Sequence, residues 1–309
     1  MKILVGVMYC IENEFLECIQ SIQNQSYKDF EYFVLENLSN KDAHEQLYQT
    51  FMREAESYDL FVKVDADMVI ARDSFFQEVV NYFSTFSDVD DLQIAVHDFF
   101  TDRLVYGLHV YSRRMKWEED KEQIFVDWPE RKNMPIKRVN DRANLAPAAF
   151  HCPNPSRFQA FHFGVHKAVK IMQHECQDFR YYASIVHWDN LICLKNNFLS
   201  DRDILLAFSI LGAWESLVSK FASSEINFDS TKVKNAFQKW NSLPVRKIVE
   251  KAQKVSFILS VFPDSLLLEL VILRRNMPFG MKYSVISFLK NMKRRKLSRY
   301  REKMIEAHS

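Results

Sequence analysis

The chain has 309 residues, 26% of them charged and 48% hydrophobic, with a formal net charge of +1 at pH 7. That length accommodates one large domain plus an appendage, and the near balance of charge leaves no global field to gather nucleic acid or acidic partners. Five scattered cysteines, odd in number and without a C-x-x-C pair, argue against a disulfide framework, so reduced thiols in a cytoplasmic protein are expected.

Met1-Lys2-Ile3 runs straight into an apolar run, so no signal peptide is expected. Lys2 to Val7 reads as a buried parallel strand. Asn13 is placed to cap a helix with Phe15, Ile19 and Ile22 as its apolar stripe and Leu16 alongside. Phe30 to Leu35 is the next strand. This β-α-β unit brings Met8-Tyr9-Cys10 and Glu36-Asn37 to neighbouring strand ends, where open α/β sheets bind ligands. No Gly-rich phosphate loop follows the first strand, which excludes a P-loop and a dinucleotide fingerprint.

The segment from Phe61 to Ile70 is an apolar strand carrying two carboxylates, Asp65 and Asp67, with the small Ala66 between them. Residues two apart on an extended chain point the same way, so both acids can close on one centre. Hard oxygen ligands at a strand end suit Mg²⁺ or Mn²⁺, which can in turn hold a diphosphate. Two acids there also make an ordinary solvated turn.

Ser74 to Phe86 is predicted to be a helix with Phe75, Phe76, Val79, Val80 and Phe83 inward. Strands are predicted at Leu92–Val96 and Val105–Tyr111. From Glu118 to Pro155 the chain is polar and proline-bearing and reads as loop-rich, with His151 as a candidate substrate contact or a packing residue. Phe158, Phe161, Val165, Val169 and Met172 form a helical stripe. His162 and His166, four apart on that helix, share a face. Lacking a third ligand nearby, they are read as candidate acceptor or phosphate contacts rather than a zinc site.

The run from Asn13 to Glu31, with Gln23-Asn24-Gln25-Ser26-Tyr27 ahead of the second strand, resembles the opening of family 2 nucleotide-sugar glycosyltransferases of the GT-A fold. The Val34-Leu35-Glu36-Asn37-Leu38-Ser39 turn stands where that family has Val-Val-Asp-Asp-Gly-Ser, and Asp65-Ala66-Asp67 stands where it keeps its metal-binding DXD motif. The resemblance covers about the first third of the chain. It implies an α/β domain over residues 1–215 with an open, twisted, mainly parallel sheet flanked by helices, followed by a helical C-terminal region over 216–309. It implies that Tyr9 stacks on a base, that Glu36 contacts base or ribose, and that Asp65 and Asp67 face Mn²⁺ or Mg²⁺ and the diphosphate. Leu38 in place of Gly, and a short segment between Glu36 and Asp65, depart from the pattern.

The register Asp189, Ile192, Lys195 is similar to the acidic helix start of many inverting relatives, which implies Asp189 as general base; Trp188 replaces their Glu. A carboxylate near a helix amino end is equally an ordinary capping acid. His187 is the competing base or an added metal ligand, and Trp188 can stack on a sugar ring or pack. Together these imply a nucleotide-sugar-dependent, hexosyltransferase-type enzyme acting on a glycan or lipid-linked glycan hydroxyl in surface polysaccharide biosynthesis, with inversion as the stereochemical expectation. The alternative is a non-catalytic GT-A-like scaffold or membrane-associated binding protein.

Beyond Asp201 the sequence reads as helices. Val255 to Leu273 is hydrophobic but broken by Pro263-Asp264 and Glu269, which argues against a spanning helix. Residues 290–303 carry eight Lys or Arg against Glu302 alone. They read as a basic amphipathic helix able to lie on an anionic membrane, which would add a peripheral position at the inner face. The rival is a solvated helix end; no nucleic-acid reader module is present.

Overall fold

The computed structural model describes residues 1–118, 124–125, 136–176 and 180–261. The basic segment at 290–303 and the second half of the hydrophobic stretch at 255–273 lie outside the described residues.

The chain is an α/β protein. Strand β1 (Ile3–Tyr9) leads through helix α1 (Phe15–Gln23) to β2 (Phe30–Glu36), then through α2 (Asn40–Arg53) to β3 (Leu60–Asp65). These three strands are parallel, with β1 in the middle. After them come β4 (Met68–Ile70), α3 (Phe75–Thr85), the β5 (Asp91–Asp98) and β6 (Arg103–Ser112) hairpin, β7 (Arg138–Asp141) and β8 (Ala149–His151). The sheet order is β2-β1-β3-β6-β5-β8-β4, with β7 also pairing β5. The β3–β6, β5–β6 and β4–β8 pairs are antiparallel. The sheet is therefore mixed, which corrects the mainly parallel expectation: the β5–β6 hairpin reverses the chain at the centre, so β6 lies antiparallel to β3, where a βαβ crossover would have kept it parallel.

Residue pattern explains the layers. On one face, Cys18 and Ile22 of α1 and Phe75, Phe76, Val79, Val80 and Phe83 of α3 pack with Ile3, Val5, Val7, Val62 and Val64. All five α3 positions expected inward are buried. Leu16 is 77% exposed, because the α1 face that meets the sheet runs through Cys18 and Ile22. On the other face, Leu47, Tyr48 and Phe51 of α2 meet Leu4, Phe61, Tyr111 and Trp117. Gly6 stands under this helix: a Cβ there would sit 2.1 Å from the Leu47 side chain.

A helical layer completes the described residues: α4 (Arg157–Met172), α5 (Tyr181–Asp201), α6 (Ile204–Ser219), a 3₁₀ turn (Ser223–Ile226), α7 (Thr231–Asn241) and α8 (Val245–Val261). They share one core. Helices α4 and α6 cross at glycines, Gly164 facing Ser209 O and Gly212 facing Phe161 O, so their backbones approach closely. Residue 215, the expected division, falls inside α6. No described helix is long and apolar enough to cross a membrane.

The expected loop at 118–155 contains β7 and β8, four and three residues long. Such short strands carry too few residues for an alternating pattern to register.

Candidate active site

The parallel register places Tyr9 opposite Glu36 and Met8 opposite Asp65 at the C-terminal edge of β1, β2 and β3. The amide of Asn37 donates to Tyr9 O at 2.8 Å, and Asn37 adopts φ 56°. This left-handed turn residue does the work of the missing glycine at Leu38, because Asn tolerates that conformation. Ser39 then caps α2 by accepting from the Asp42 amide. One face of Tyr9 is covered by Phe15, with ring centroids 4.0 Å apart and 20° between planes. Glu36 is exposed at the rim.

The run from Phe61 to Ile70 is two strands, not one. Asp65 ends β3, Ala66 and Asp67 form a turn, and β4 begins at Met68. The two acids keep different company. Asp65 accepts from Lys63 Nζ at 3.1 Å; the lysine side chain is 3% exposed and the aspartate 36%. Asp67 turns towards the end of β8, where its Oδ2 lies 3.3 Å from His151 Nε2 and 3.3 Å from Cys152 Sγ. Its other oxygen, Oδ1, is buried with no hydrogen-bond partner among the described residues. Behind it, His151 Nδ1 donates to Asp98 Oδ1 at 2.6 Å. Asp98 Oδ2 accepts from Thr101 N at 2.8 Å and Thr101 Oγ1 at 2.5 Å.

Electrostatics follow from this packing. Burial opposes charge on Asp67, Asp98 and His151, but the contacts win: the histidine holds both carboxyls below their usual range, and Cys152, then Asp67 and Asp98, raise the imidazole well above its own. Burial, then Asp67, pushes the Cys152 thiol up.

A second acid lies across from Asp67. Glu12, in the loop after β1, accepts from the Cys10 amide at 2.6 Å and the Ile11 amide at 3.1 Å. Burial first, then the charge of Asp67, raises its carboxyl to about 7. Glu14, fully buried, ties this loop to the start of α4 by accepting from Gln159 Nε2 at 2.7 Å and the Asn154 amide at 3.1 Å. Asn13 joins the same knot instead of capping α1: its amide donates to Gln159 Oε1, and its side chain to Asn154 O.

The remaining expected residues lie elsewhere. Asp189 is the ninth residue of α5, not a helix-start acid; its side chain is 66% exposed and 3.4 Å from Arg103. Trp188 is buried in the helical core at 5% exposure, which removes it as a sugar-stacking surface. His162 is buried and bonds Ile226 O at 2.7 Å, held to about 4 mainly by burial. It packs on Phe228, so it is a core histidine, not an acceptor contact. Burial, with Lys167 and Lys170 nearby, pushes His166 and His187 well below the usual histidine range. No described hydrogen bond or ion pair joins these histidines or Asp189 to the Asp67 cluster.

Sequence reading missed Glu12 and Asp98 and saw in Cys152 only one of five reduced thiols. The available signal was position: Asp98 stands two residues after the Leu92–Val96 run, and His151-Cys152 directly follow Ala149-Phe150.

No protein-family model matches the chain, and no curated protein matches it. Among solved structures, A197 from STIV is similar over 43% of this chain and 70% of that chain, at 19% identity and TM-score 0.30. S. aureus TarS is similar over 82% of this chain and 53% of that chain, at 12% identity and TM-score 0.29. The chain thus spans about half the length of TarS. At such scores neither likeness bears on function.

Proposed function

We propose that this chain is a glycosyltransferase that moves a sugar from a nucleotide-sugar to a hydroxyl of a glycan or lipid-linked glycan. The observation that carries the reading is the shared edge of β1, β2 and β3, where Tyr9, Glu36 and Asp65 stand side by side with Asp67 in the following turn. The residues from Asn13 to Glu31 and the Asp65-Ala66-Asp67 motif, which resemble GT-A enzymes, support it from the sequence.

In this reading the face of Tyr9 away from Phe15 takes the base and Glu36 accepts hydrogen bonds from base or ribose. The carboxylate of Asp67, whose buried Oδ1 has no hydrogen-bond partner among the described residues, fits a divalent cation, and Lys63, paired with Asp65, also favours its ionised form. Bound there, a cation would neutralise charge on a departing diphosphate. Two carboxylates are candidates for taking the acceptor proton. Asp189 is exposed beside Arg103; Glu12 ionises near neutrality beside Asp67, the condition that suits a general base. In-line attack would give inversion. The basic segment at 290–303 would hold the enzyme at an anionic membrane where lipid-linked acceptors reside.

A thermal-shift panel of nucleoside diphosphates, without cation and with Mn²⁺ or Zn²⁺, tests the reading. Cation-dependent stabilisation by one nucleotide is expected and would name the donor class. No stabilisation by any of them would refute it.

A further inference from the structure

Asp67 Oδ2, His151 Nε2 and Cys152 Sγ form a triangle. The nitrogen–oxygen edge is 3.3 Å, the sulfur–oxygen edge 3.3 Å and the sulfur–nitrogen edge 3.7 Å. We propose that these three atoms are the protein ligands of a zinc-class transition-metal ion, so that the cation of this site is a borderline-soft one and not Mg²⁺ or Mn²⁺. The inference deepens the reading above and rests on its placing the cation at Asp67.

The edge lengths carry the first part of the argument. Tetrahedral zinc with ordinary bonds of about 2.0–2.2 Å to nitrogen and oxygen and about 2.3 Å to sulfur separates its ligands by about 3.4–3.6 Å. The three observed edges bracket that separation, so the atoms already occupy three corners. Three protein ligands leave the fourth corner for an exchangeable oxygen, the arrangement of catalytic rather than structural zinc sites.

The backbone carries the second part. Neighbouring residues on a strand point to opposite faces, so His151 and Cys152 should not converge. Cys152 has φ 51°, a left-handed conformation that a residue with a side chain adopts at a cost, and it turns the chain out of β8 so that both side chains meet at Asp67. The Cys152 amide, donating to Asp67 O at 2.7 Å, fixes the two turns against each other.

The third part is the support behind the histidine. Asp98, oriented by Thr101 N and Oγ1, accepts from His151 Nδ1 and leaves Nε2 on the side of Asp67 and Cys152. A carboxylate behind an imidazole is the usual outer support of a metal-bound histidine. Finally, the ligand chemistry discriminates among ions. Thiolate and imidazole are poor partners for Mg²⁺ and suit Zn²⁺ and its neighbours in the series.

The test uses the full chain after treatment with a chelator, titrated with Co²⁺ alone as a coloured surrogate for zinc. A near-ultraviolet sulfur-to-cobalt charge-transfer band and strong four-coordinate visible bands are expected, reversed by Zn²⁺ and not by Mg²⁺. Cys152→Ser should abolish the charge-transfer band, whereas Cys18→Ser should keep it. Asp98→Asn should weaken affinity by about 10–100-fold. Should Cys152→Ser fail to fold, zinc-edge X-ray absorption on the wild-type chain decides: a sulfur scatterer at about 2.3 Å is expected. Absence of both the band and the sulfur scatterer, or a band surviving in folded Cys152→Ser, would overturn the proposal. Nucleotide calorimetry on the same samples separates the two readings. A cobalt–sulfur band without nucleotide binding upholds the metal site and sinks glycosyl transfer. Mn²⁺-dependent nucleotide binding without the band does the reverse.

Discussion

Replacing Glu12 with glutamine should stabilise the metal-free protein above neutral pH and leave it nearly unchanged in acid. Glu12 carries a carboxyl raised from 4.5 to about 7 by burial and by the charges of Asp67 and Asp65. A raised carboxyl means that the folded state binds the proton more tightly than the unfolded chain does. Its stabilising contribution is therefore present in acid and is lost as pH rises from 4.5 to about 7. At about 1.4 kcal/mol per pH unit, the ceiling on that loss is about 3 kcal/mol, and residual solvent contact lowers the expectation to about 1–3 kcal/mol. Glutamine keeps an oxygen for the Cys10 and Ile11 amides but does not ionise. Urea unfolding of both proteins across this range, with chelator present, reads the difference. It should grow through the window and then level. A difference that stays flat with pH would refute the reasoning, as would one undiminished in an Asp67→Asn background, where the acidic charge that raises Glu12 most is gone.

Asp67→Asn should lower cation-dependent nucleoside diphosphate affinity by more than about tenfold in calorimetry on folded protein, since the diphosphate would meet the remaining acids without its counter-ion. Asp189→Asn should leave donor binding intact and cut transfer about 10²–10⁴-fold if Asp189 takes the acceptor proton; near-normal turnover, with a comparable loss in Glu12→Gln, would move that role to Glu12. Gly164→Val should cost more than about 3 kcal/mol in chemical denaturation, because even a Cβ there would meet Ser209 O at 1.8 Å and the helices would have to part. Removing residues 290–309 should weaken co-sedimentation with anionic vesicles, by roughly 1 kcal/mol for each basic side chain near the surface and less in high salt.

What the sequence disclosed and what it hid divide along physical lines. The α3 stripe was legible because its helical period repeats and burial follows it, whereas β1, β2, β5 and β6 were legible as runs of strand-forming residues long enough to stand out, β1 and β5 being buried along nearly their whole length. The break between β3 and β4 was hidden because Ala66 and Asp67 interrupt an apolar run without a glycine or proline to mark the turn. That break decides the chemistry of the site. Had the strand continued, the alternation would have kept Asp65 and Asp67 on one side, as two hard oxygen ligands. The turn instead leaves Asp65 with Lys63 and delivers Asp67 to His151 and Cys152, so an oxygen pair becomes an oxygen, nitrogen and sulfur set. His151 and Asp98 meet across 53 residues of chain, through strands too short or too distant for any local pattern to connect. The part of a site drawn from one segment can be read from periodicity, whereas the part assembled by sheet order requires the pairing itself. Here β8, three residues long, lies between β5 and β4 and brings Asp98, His151 and Asp67 together. A single substitution that loosened β8, such as proline at Phe150 where its amide faces the sheet, would scatter all three while leaving the β1–β3 edge intact.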